Sequence, residues 1–157
     1  MLRSILNKKK WNLELESIPS EAPSSKTLSV FCGNPEKGTS TLLEYVAREL
    51  SKKEKVAIVD ISKTRTFYMK YLFDENLGDD EIEKSLLLLQ QGVHKPLEIS
   101  RNCFLYTSNP IETNIENIKI SDIIQNLFSR FNYILWDANV NNPDVFNYAT
   151  SVFVTID

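Results

Sequence analysis

The chain has 157 residues, of which 42% are apolar and 25% charged, and a formal net charge of −3. That length and mixture suit one globular domain with a real core, and the acidic balance makes nucleic acid an unlikely partner. No apolar run approaches the roughly eighteen residues that cross a bilayer, and the N-terminus lacks the apolar core of a secretory signal. Cys32 and Cys103 fall in apolar runs without metal-ligand spacing. They read as buried reduced thiols in a cytoplasmic protein, with a disulfide as the lesser alternative.

Residues 1–26 differ from the rest. Leu2, Ile5 and Leu6 stand at helical spacing ahead of Lys8, Lys9, Lys10 and Trp11. A solvated or partner-bound leader is the simpler reading of so short a segment. Contact of residues 1–11 with an anionic membrane surface is the alternative, and would make the protein peripheral at the membrane. Pro19, Pro23 and three serines mark residues 18–26 as a linker. The boundary is placed there: leader and linker at 1–26, folded domain at 27–157.

The domain opens on its most informative stretch. An apolar strand-like run over residues 28–32 stops at Gly33, and Gly38 follows after four residues. Leu42, Leu43, Val46, Ala47 and Leu50 then lie on one helical face. Strand, glycine-bracketed turn and helix is the layout of a phosphate-binding loop, whose backbone N–H groups wrap a phosphate at a helix N-terminus. The chain has only four glycines, and two bracket this turn. Gly33, Asn34, Lys37, Gly38, Thr39, Ser40 and Thr41 are therefore the candidate phosphate-binding residues. In the pattern G-x-x-x-x-G-K-[ST] the lysine position holds Thr39, so the ammonium that reaches the outer phosphates is missing. One lost charge-assisted contact, roughly 1.5–3 kcal/mol, weakens binding about ten- to hundredfold. Lys37 is the candidate substitute.

After a helix ending near Lys53, residues 55–61 read as a strand buried on both faces, with Asp60 at its tip aimed toward the loop crevice. A helical stretch with Phe67, Tyr68, Tyr71 and Leu72 follows. The next helix has Asp80 as cap, Glu83 completing a capping box and Gly92 as left-handed stop. Its run Leu86–Leu89 reads as core, with a partner surface as the alternative, and His94 reads as a loop residue. Residues 97–99 and 103–106 are strands, ending at a polar turn, Thr107-Ser-Asn-Pro. Ile120, Ile123, Ile124, Leu127, Phe128 and Phe131 make an amphipathic helix with Ser121 as cap. Residues 133–136 form a buried strand ending at Asp137, residues 145–149 a short helix, and residues 151–156 a last strand.

Alternating strands and helices imply a mostly parallel sheet with helices on both faces. Sites in such sheets lie at the carboxyl ends of strands. Gly33, Asp60, Thr107 and Asp137 all fall at expected strand ends.

From Thr27 onward this order of motifs resembles the MinD/ParA group of P-loop ATPases, which includes the bacterial tyrosine kinases of capsule synthesis. Laid on the family motif K-G-G-x-G-K-[ST]-[ST], Asn34 replaces the signature lysine, Pro35 and Glu36 the two glycines, and Thr39 the loop lysine. Val-Ala-Ile-Val-Asp60 resembles the family strand whose aspartate faces the attacking water and metal, and Ser62 stands where a second acid often occurs. Tyr-Ile-Leu-Trp-Asp137 resembles the strand ending in the metal-linked aspartate. The resemblance implies a P-loop NTPase-like three-layer sandwich, Asp60 as catalytic group, and Mg²⁺ held by Ser40 and Asp137. With both lysines replaced, the chain is nearest to the divergent TadZ/CpaE branch, in which such domains localise pilus or secretion machinery. The family continues past the last strand with residues that hold adenine, so a chain ending at Asp157 reads as a fragment or as a domain without base recognition. The expected function is a degenerate module that binds a protein partner or a second copy of itself, with weak or absent ATP binding. The rivals are a Mg²⁺-dependent ATPase with a divergent loop and a tyrosine-kinase fragment.

Overall fold

The computed structural model describes residues 12–16, 20–23, 25–34, 36–73, 80–111, 118–138 and 143–156. The leader segment 1–11 lies outside them. Seven strands form one sheet: β1 (Asn12–Glu16), β2 (Thr27–Gly33), β3 (Val56–Asp60), β4 (Leu97–Ser100), β5 (Cys103–Tyr106), β6 (Tyr133–Asp137) and β7 (Ser151–Ile156). Their spatial order is β1-β7-β2-β6-β3-β5-β4. The five central strands run parallel, and an antiparallel strand closes each edge.

The helices are α1 (Thr39–Ser51), α2 (Thr66–Tyr71), α3 (Asp80–Glu83), α4 (Ser85–Gln90), α5 (Ile120–Phe128) and α6 (Pro143–Phe146). Alternation along each strand sorts the core into two faces. Leu28 and Val30 of β2, Ala57 and Val59 of β3, and Ile134 and Trp136 of β6 pack under α4, α5 and α6. Phe31, Val56, Ile58, Leu105 and Leu135 point the other way, under Leu42, Leu43, Val46 and Ala47 of α1 and Phe67 of α2. The expected α/β class with helices on both faces is what the chain forms. Cys32 and Cys103 are both buried and both free, and no helix among the described residues is long and apolar enough to cross a membrane.

Three local readings need correcting. The helix expected to run unbroken from Asp80 divides at Lys84. The cause is Ser85: its hydroxyl donates to Thr107 O (2.8 Å) and accepts from Thr107 N–H (2.9 Å), clamping the start of α4 to the end of β5. The N-cap of α5 is Lys119, not Ser121, which lies inside the first turn. Residues 12–16, read as leader, form edge strand β1, with Asn12 opposite Ile156 and Glu16 opposite Val152. Gly92 ends α4 as expected, at φ +81. Val93 N–H reaches Leu88 O and Gly92 N–H reaches Leu89 O, the paired bonds of a Schellman stop. Leu86 and Leu89 are fully buried in the core, while Leu87 and Leu88 are half-buried. His94, in the loop beyond, hydrogen-bonds the Tyr106 hydroxyl at 2.9 Å.

Candidate functional site

β2 ends at Gly33, and α1 begins after Gly38, whose φ of 80° and ψ of 16° place it in the left-handed region that glycine takes without strain. Between them Glu36 also has positive φ, 65°. Glutamate meets a steric cost there of about 1 kcal/mol, which a glycine would not. Gly33, Asn34, Glu36, Gly38, Thr39, Ser40 and Thr41 line one wall of a crevice of about 450 Å³. Ser62, Lys63, Thr64 and Thr66 line the other wall, with Asp137 and Ala138 alongside. Six of the expected loop residues thus meet there. Lys37 is exposed and is not among the described residues that line the crevice. The lysine at the crevice is Lys63, which the sequence reading missed together with Thr64 and Thr66. The available signal was the hydroxyl-rich run directly after the tip of β3.

Thr39 occupies the place of the loop lysine and has been turned to structural use. Its hydroxyl is 2.5 Å from that of Thr155 on β7, and Thr155 is itself buried. Gly33 lets the two threonines meet. A Cβ built on it would stand 1.9 Å from Thr155 Oγ1 and 2.8 Å from Thr39 Oγ1.

The aspartates at the ends of β3 and β6 are register partners, yet their surroundings differ. Ser40 Oγ–H donates to Asp137 Oδ2 at 2.6 Å, and Asp137 reaches the crevice. Burial first, and the neighbouring Asp60 second, push the Asp137 carboxyl up to about 7, against the Ser40 hydrogen bond. Asp60 does not project into the crevice. It is fully buried, and donors of its own chain fill both oxygens. Oδ1 accepts from Ser62 N–H (3.3 Å) and Ser62 Oγ–H (2.8 Å). Oδ2 accepts from Phe67 N–H (3.1 Å), Tyr68 N–H (3.2 Å) and Thr107 Oγ1–H (3.3 Å). Burial raises its pKa, while these donors and the nearby Arg65 guanidinium pull it back. Asp60 therefore caps the first turn of α2 from across the sheet end, satisfying N–H groups that no helix bond reaches. Thr107, another strand-end residue, belongs to that cap and not to the crevice.

Mg²⁺-triphosphate meets a poor fit here. Ser40 and Asp137 line the crevice, hydrogen-bonded to each other, but Glu36 adds a carboxylate to the wall a phosphate would face, and both Asp60 oxygens are engaged within the chain. Among the described residues no three His, Cys, Asp or Glu side chains are grouped to hold a metal.

Asp137 also yields a stability prediction. A folded-state pKa near 7, above the ordinary aspartate value, means that its contribution is present below about pH 4 and lost as pH rises through 7. Asp137→Asn, which can still accept the Ser40 hydrogen bond, is expected to stabilise the protein at pH 8 by roughly 1–4 kcal/mol. It should also flatten the slope of stability between pH 4 and 7. Urea denaturation at pH 5 and 8 checks this, and an Asn variant no more stable than the parent at pH 8 would refute it.

No family model matches the chain, and no curated protein matches it either. Among solved structures it is similar to a plasmid partition protein from Borrelia burgdorferi, with a TM-score of 0.58 and 21% identity. The match takes in 73% of this chain and 56% of that one, so it spans little more than half of the partition protein's length. At that identity the likeness is one of fold. The chain has the layered α/β fold seen in that plasmid partition protein.

Proposed function

We propose that this chain is a degenerate MinD/ParA-like domain that binds nucleotide weakly or not at all and serves as a protein-binding or localising module. The observation that carries the reading is the state of Asp60, whose carboxylate is used up by five hydrogen bonds within the chain. A group so occupied cannot orient an attacking water without unfolding the start of α2. Thr39, bonded to Thr155, points to the same conclusion on the phosphate side. In this reading the partner is a protein, either a second copy or another chain. The likeness to the TadZ/CpaE branch suggests a membrane-associated pilus- or secretion-type machine as the setting.

Calorimetric titration with ATP, ADP and GTP, with and without Mg²⁺, tests the reading. No heat is expected at millimolar nucleotide. Magnesium-dependent binding at micromolar concentration would overturn it and favour the second reading, a Mg²⁺-dependent ATPase. That alternative rests on the retained Ser40–Asp137 pair and on Lys63 in the opposite wall. Under it, Ser40→Ala should remove the magnesium dependence.

A further inference from the structure

At the amino ends of the strands, away from the crevice, the last turn of α1 and the β4–β5 turn enclose a second cleft of about 570 Å³. Its lining includes Arg48, Lys52, Lys53, Ser100, Arg101 and Asn102. Two of the four cations are already engaged. Arg48 pairs with Glu44 at 3.0 Å and Lys52 with Glu49 at 2.7 Å. Lys53 and Arg101 are exposed, come from different elements, and make no ion pair among the described residues. Ser100 Oγ is buried and its hydroxyl hydrogen-bonds the Cys103 thiol.

The walls are tied together by the fold. Asn102, at φ 61°, donates its side-chain amide to Ser51 O at 3.4 Å and accepts from Val56 N–H at 2.8 Å through its backbone carbonyl. Glu98 Oε1 accepts from Asn102 N–H at 3.2 Å, and Glu98 makes no ion pair with the cleft's cations among the described residues. The negative end of the α1 macrodipole accounts for cations on α1 itself. It does not account for Arg101 on the facing turn. In a chain of net charge −3, two cations from different elements, without ion pairs among the described residues, face one cleft and make a place for an anion with several acceptor oxygens.

We infer that this cleft binds a phosphate-bearing ligand, gripped between Lys53 and Arg101. The phosphate belongs to a lipid headgroup or to a soluble phosphate ester, and the test separates the two. Full-length protein is titrated with inorganic pyrophosphate, and in parallel sedimented with vesicles of phosphatidic acid in phosphatidylcholine. Both are repeated with Lys53→Gln/Arg101→Gln and with a control, Lys84→Gln/Arg130→Gln, which removes the same charge from exposed positions outside the cleft. The cleft variant is expected to bind about a hundredfold more weakly, at about tenfold or more for each of the two lost charge-assisted contacts. The control should change affinity less than about twofold, and the melting temperatures of both variants should match the parent. Binding to vesicles alone assigns the site to lipid, and binding to pyrophosphate assigns it to soluble phosphate. Failure of the parent to bind either probe, or equal weakening in both variants, overturns the inference.

Discussion

Asp60→Ala is expected to lose about 3–5 kcal/mol of folding stability, the cost of removing one partner from a buried charged network. The substitution strands two backbone N–H groups of α2, both donors of Ser62 and the Thr107 hydroxyl, all aimed at a fully buried carboxylate. Arg65, only 3% exposed, loses its nearby countercharge as well. Asp60→Asn should fall between the parent and the alanine variant, since its amide offers one acceptor and turns a donor toward donors. Urea midpoints and amide exchange at Phe67 and Tyr68 measure the effect. A catalytic carboxylate reaching into solvent would behave otherwise: its alanine variant would keep its stability and lose turnover only. An Asp60→Ala protein as stable as the parent would remove the main support for the binding-module reading.

Gly33→Ala is the second large effect. The new methyl would lie 1.9 Å from Thr155 Oγ1 and 2.9 Å from Thr155 O. The side-chain clash can be relieved by rotation, at the cost of the Thr39–Thr155 hydrogen bond. The backbone clash requires the ends of β2 and β7 to separate where they pair, Gly33 opposite Thr155. Overpacking of this kind costs roughly 1–3 kcal/mol, and the upper end is expected because a backbone oxygen must move. Adding Thr155→Ala should recover part of the loss but not all of it, since the carbonyl stays. Thermal denaturation of the single and double variants checks this. Full recovery in the double variant would show that only the side chain was in the way.

Much of this architecture is legible in the residues. The two-faced burial of β3 follows from four consecutive apolar residues ahead of Asp60, and the stop of α4 from a glycine after an apolar run. The placement of Ser40 and Asp137 at neighbouring element ends follows from a phosphate-loop pattern and an apolar strand that ends in an acid, while their direct hydrogen bond does not. The period-two alternation of Asn-Leu-Glu-Leu-Glu over residues 12–16 was also a strand signal, masked by the basic leader before it and the proline-rich linker after it. These features are local. Period, turn chemistry and chain direction are set within a few residues, so a single chain read by itself displays them.

The direction of a side chain at a strand end is not local. Asp60 turns from the crevice because α2 and Thr107 bring their donors to it, across 7 and 47 residues of chain. Thr39 turns to β7 because Thr155, 116 residues away, offers a hydroxyl over a glycine. Lys63 reaches the crevice and Lys37 does not, although only Lys37 lies inside the motif. Arg101 lines one cleft with Lys53 because the β4–β5 turn lies beside the end of α1. The sequence by itself determined the layers, the strand-end placement of the site and the residue types available there. Tertiary structure decided which of those groups remain open to a ligand, because a buried polar group takes whichever partner packing delivers.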